Sequence, residues 1–137
     1  MMNIKSILLL ALGLNLRVAF AQSSRCEILQ ALIKDSIARK AWLVDEYKGI
    51  PIVLIDVHGW FQECSLLIDS GREVKVVHDS ALLKEKALSY ITIKNFQINS
   101  VKYEIVCYQR NTNSLVTADL ISRRRKMKIV RVKVGHF

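Results

Sequence analysis

The spacing of apolar residues changes once along this chain, near residue 50. Before that point, in SSRCEILQALIKDSIARKAWLVDEYKG (residues 23–49), Ile28, Leu29, Leu32, Ile33, Ile37, Ala41 and Val44 recur at steps of three and four. That period gathers them on one stripe of a helix. Ser24 and Glu27 have the spacing of a capping box, in which each side chain satisfies a free N–H at the helix start. Gly49 and Pro51 supply a stop. Asp35, Asp45 and Glu46 balance the cations of the stretch, so it reads as one long core-packing helix and not as a membrane-surface helix.

After residue 50 the period shortens to two. IPIVLIDV is apolar on both faces, as a covered strand is, and EVKVV at 73–77 gives a short strand. DSALLKEKAL at 79–88 reads as a short helix capped by Asp79 or Ser80. Four strands follow closely: YITIKNFQI, VKYEIVCY, LVTADLI and MKIVRVKV. In the second, Val101, Tyr103, Ile105 and Cys107 share a face opposite Lys102 and Glu104, a half-buried alternation. INS and QRNTN are the polar turns between strands. Two strands slip phase: Ile91 and Ile93 give way to Phe96 and Ile98, and Met127 and Ile129 to Val130, Val132 and Val134. An extra residue in a β-bulge restores inward pointing after such a slip and bends the strand.

These elements predict a single α+β domain over residues 22–137, a long N-terminal helix packed on a curved antiparallel meander of four to six strands. In element order the arrangement is similar to small secreted α+β proteins of the cystatin-like and nuclear-transport-factor-two-like kinds. The Q-x-V-x-G type loop that cystatins present to proteases is absent, so protease inhibition does not carry over. Those folds host enzymes and binding modules alike, so the resemblance implies a fold and no activity.

The first 21 residues stand apart from that domain. Lys5 gives a positive start, residues 6–16 are almost wholly apolar, and AFA at 19–21 places small residues at the −3 and −1 sites, so a signal peptide cleaved after Ala21 is expected. The apolar run is about half of the roughly 20 residues a membrane span needs. A secreted or periplasmic location follows as an expectation. Such a compartment permits disulfides, but Cys26, Cys64 and Cys107 are three. Either one bridge forms and one thiol remains, or all three stay reduced. No CxxC pair suggests a redox site or a zinc knuckle.

Charge changes the picture only when it is located. All 12 Asp and Glu lie before residue 122, matched by 12 of the 21 Lys and Arg over residues 22–121. Apart from Lys5 and Arg17 in the first 21 residues, the excess is therefore Arg123, Arg124, Arg125, Lys126, Lys128, Arg131 and Lys133, within SRRRKMKIVRVKV. Concentrated in one element, such charge makes a local field. Strand alternation accounts for Lys128, Arg131 and Lys133 as an outer face that resists edge pairing. It does not account for three successive arginines at a turn, whose forked guanidiniums pair bidentately with phosphate, sulfate or carboxylate.

The enzymatic alternative is IDVHGWFQEC at 55–64. On a strand Asp56 and His58 would share a face as a carboxylate–imidazole pair suited to general-base work, with Cys64 nearby as a nucleophile. Trp60 and Phe61 would rim a pocket or enter the core. Against this, Asp56 to Gly59 is also where a strand leaves its sheet. G-x-S-x-G, Walker and dinucleotide-binding motifs are absent, and no His or Cys spacing suits a metal. The sequence thus predicts a small exported, non-catalytic binding protein without metal or cofactor, meeting an anionic protein, polysaccharide or membrane surface through its C-terminal basic hairpin. Nucleic acid is disfavoured, because no aromatic platform interleaves with the cations. The alternative is a ligand-binding or hydrolase-like pocket around Asp56, His58, Trp60 and Cys64.

Overall fold

The computed structural model describes residues 25–46, 51–61, 64–68, 72–78 and 90–136. The expected signal peptide, Ser24 of the capping box and the helix expected at 79–88 lie outside them. Among the described residues two helices, α1 (25–34) and α2 (Ser36–Ala41), precede seven strands. These are β1 (Ile52–Ile55), β2 (Leu66–Ile68), β3 (Arg72–Val77), β4 (Tyr90–Asn99), β5 (Lys102–Gln109), β6 (Ser114–Arg123) and β7 (Lys126–His136).

The single long helix is corrected to two short ones. Asp35 leaves the helical region with ψ at 130°, and its Oδ1 accepts the N–H groups of Ile37 and Ala38, both at 3.0 Å. It is the N-cap of α2, so it ends one helix and starts another. The apolar stripe changes phase across this break. Ile28, Leu29, Leu32 and Ile33 are buried as expected, but Ala38 and Trp42 then take over, and Ile37 is left 51% exposed. Helix α2 ends long before Gly49. Val44 N–H donates to Arg39 O and Leu43 N–H to Lys40 O, with Leu43 at φ 54°, the crossed pattern of a Schellman cap.

The antiparallel meander is corrected too. The sheet is mixed, in order β2-β3-β1-β4-β5-β6-β7. Strand β1 pairs in parallel with both β3 and β4, and all four of its residues are buried, as a strand covered on both faces requires. Only the half from β4 to β7 is the expected meander. The resemblance to cystatin-like and nuclear-transport-factor-two-like proteins rested on one long helix followed by an antiparallel sheet, and goes with it. The two bulges fall where the pattern slips. Register shifts between Ile93 and Asn95 in β4, and at Val130 in β7, where Asp119 faces Arg131 and Leu120 faces Ile129. Val130 is consequently 60% exposed.

One face of β5 and β6 joins the core through Ile105, Cys107, Val116, Ala118 and Leu120, and α2 lies against β6 and β7. The buried Gln109 amide donates to Trp42 O at 2.9 Å, fastening the end of α2 to the sheet. A disulfide joins Cys26 of α1 to Cys64, the first of the two cysteine states the sequence allows. Cys107 is the remaining buried thiol, and desolvation pushes its pKa up.

Candidate functional site

The two regions singled out in the sequence differ in what their side chains are free to do. At the end of β1, Asp56 is fully buried. Its carboxylate accepts the N–H of Trp60 at 3.2 Å and of Phe61 at 2.7 Å, while its carbonyl accepts from Gly59 N–H. Gly59 sits at φ 69° to close this loop. Buried backbone donators need such partners, so both carboxylate oxygens are committed to holding the loop shut. His58 is exposed, its ring tilted 35° to that of Trp60 with centroids 4.4 Å apart. Cys64 is bonded to Cys26 and is not a thiolate nucleophile. The sequence neighbours Asp56, His58 and Cys64 therefore do not assemble into a Cys/His/Asp constellation.

Trp60 and Phe61 belong to an aromatic file on the core side of the sheet. Phe61 is fully buried and meets Phe96 at 4.9 Å between centroids. Half-buried Trp60 lies 6.3 Å from Phe96, and Phe96 stacks on Tyr103 at 6.4 Å. Arg25 donates to Trp60 O at 3.0 Å and lies 5.8 Å above the Phe96 ring.

The C-terminal hairpin is built differently. Arg123 pairs with Lys126 across the turn, leaving Arg124 and Arg125 as its two central residues. Both are left-handed, at φ 51° and 61°. Positive φ at both central positions is the type I′ turn, whose twist matches that of the flanking strands and which normally takes Asn-Gly or Gly-Gly. Arg123, Arg124, Arg125, Lys126, Lys128, Arg131 and Lys133 are all exposed. Arg131 is spoken for: its Nε and Nη2 donate to Asp119 Oδ2 at 3.1 and 2.9 Å. Among the described residues the other six have no ion-pair partner.

The sequence reading missed what stands beside this hairpin. Strands β4 to β7 alternate in direction, so the β4–β5 turn at Ser100 and Val101 lies at the same end of the sheet as Arg124 and Arg125. Ser122 N–H donates to Val101 O at 2.9 Å, tying the two tips together, and Lys102 faces Ile121, which faces Lys128. Ile98 and Val101 are 50% and 53% exposed there. The signal available in the sequence was Val101 directly after a turn serine, an apolar residue where a polar one is ordinary. Among the described residues no cluster of three or more His, Cys, Asp or Glu is placed to hold a metal ion. Comparison with protein-family models, with curated proteins and with solved structures gives no match to this chain.

Proposed function

We propose that this is a small exported, non-catalytic binding protein that recognises an anionic partner through the β6–β7 hairpin. The observation carrying this reading is the pair Arg124 and Arg125 in left-handed backbone. Residues held against backbone preference cluster at functional sites, and these two present long cationic side chains that are exposed. Their guanidiniums, with those of Arg123 and the ammonium of Lys126, form an unneutralised cationic tip. The Cys26–Cys64 bridge supports export, since disulfides persist in oxidising compartments. The engagement of Asp56 and Cys64 in structural roles supports binding over catalysis.

The test is elution from a heparin column as salt rises, beside an Arg123→Ser/Arg124→Ser/Arg125→Ser variant. The parent is expected to be held well into the gradient and the variant to leave early, with His58→Ala eluting like the parent. Equally weak retention of parent and triple variant would make the arginines a solvated turn and end the reading.

A further inference from the structure

The cationic hairpin and the β4–β5 hairpin with half-exposed Ile98 and Val101 stand at one end of the sheet, and their combination narrows the partner. A soluble polyanion is matched by Arg123, Arg124, Arg125, Lys126 and Lys128 alone; it has no use for two half-exposed aliphatic side chains at the adjoining tip. A bilayer with anionic headgroups uses both. Its phosphates meet the guanidinium forks, and the boundary between headgroups and acyl chains takes up apolar side chains that water leaves poorly solvated.

Three features of the geometry favour that partner. Val101 lies in the β4–β5 turn and Ile98 near the end of β4 beside it, not in the middle of a sheet face, so a flat surface reaches them without the fold opening. The Ser122 N–H to Val101 O bond holds the two tips as one unit, so they meet a plane together. Ile98 is the register partner of Tyr103, which continues through Phe96 to Trp60. Half-buried Tyr and Trp with one apolar and one polar end are suited to a water–lipid boundary. We propose that this end of the sheet docks on an anionic lipid bilayer, with Ile98 and Val101 entering the acyl boundary and the β6–β7 arginines at headgroup level. The inference rests on the anion-binding reading above and specifies its partner.

Co-sedimentation with phosphatidylcholine vesicles, with and without phosphatidylglycerol, tests it. The parent should sediment with the anionic vesicles and not with the neutral ones. An Ile98→Ser/Val101→Ser variant should bind anionic vesicles about tenfold or more weaker, because each side chain brings apolar surface to the boundary, yet keep the parent's heparin retention. The Arg123/Arg124/Arg125→Ser variant should lose both. A Val101→Trp variant supplies a direct readout: its emission should shift to the blue on anionic vesicles alone. Heparin retention without vesicle binding, or vesicle binding unchanged in Ile98→Ser/Val101→Ser with no shift in Val101→Trp, overturns the bilayer and leaves the hairpin an anion site for a soluble polyanion. Loss of heparin retention in the parent overturns both readings.

Discussion

At residues 124 and 125 the chain holds arginine where backbone sterics favour glycine or asparagine. A left-handed conformation costs an ordinary L-residue roughly 1–2 kcal/mol, because Cβ crowds the following carbonyl oxygen. Relieving it should therefore raise stability while removing charge. An Arg124→Asn/Arg125→Gly variant, which restores the preferred type I′ pair, is expected to gain about 1 kcal/mol, part of the relief being offset by the greater unfolded-state entropy of glycine. Urea unfolding should show a higher midpoint at unchanged slope, and the heparin column earlier elution. Gains and losses of opposite sign separate a functional tip from a structural one, since a turn kept for stability would lose on both counts. The sequence made the three arginines visible and placed them at a turn, but side-chain identity carried no sign of the backbone angle. It likewise brought Asp56, His58 and Cys64 together as letters. It did not show that the Asp56 oxygens would be used by Trp60 and Phe61 N–H groups, nor that Cys64 would be bridged to Cys26.

Elements were legible wherever one physical signal dominated. The unbroken apolar run in IPIVLIDV marked a covered strand, and the phase slips in β4 and β7 marked bulges that the register reproduces. The helix boundary was not, because two signals competed. Periodicity could be carried through Asp35 with Ile37 and Ala41 on the stripe, whereas Asp35 as an N-cap resets the phase to Ala38 and Trp42. The far end of α2 was hidden for another reason. Its left-handed cap residue is Leu43, not the glycine by which such caps are usually found. Strand β2, with three residues, is too short to show alternation, and parallel pairing of β1 leaves no mark that distinguishes it from a buried antiparallel strand. The cap makes a definite prediction. Asp35→Ala removes the acceptor for two N–H groups at the start of a helix of six residues and should cost about 1 kcal/mol. Asp35→Asn, which retains the acceptor oxygen, should cost a few tenths at most, and thermal unfolding of the two variants measures the difference.

For the whole molecule the decisive property is where charge is absent. Residues 22–121 carry 12 cations and 12 anions, so the body exerts little net force on a charged partner at a distance beyond the screening length. On the proposed reading orientation then falls to the sheet end, where Arg123, Arg124, Arg125 and Lys126 lie. This predicts how affinity depends on salt, not only that it does. Each ion contact displaces about one condensed counterion, so each hairpin cation removed should reduce the log–log slope of affinity against salt by about 1. Lys128→Ser and Arg124→Ser should each show that reduction on heparin. Arg131→Ser should show less, because Arg131 is already bound to Asp119, and Asp119→Asn should steepen the slope by releasing it. Lys75→Ser, at an exposed position of β3 and far across the sheet order from β7, should leave the slope alone. A chain that bound through its overall positive charge would instead answer equally to every one of these lysines and arginines. Isothermal titration at a series of salt concentrations distinguishes the two, because only a localised site makes the slope depend on which cation is lost.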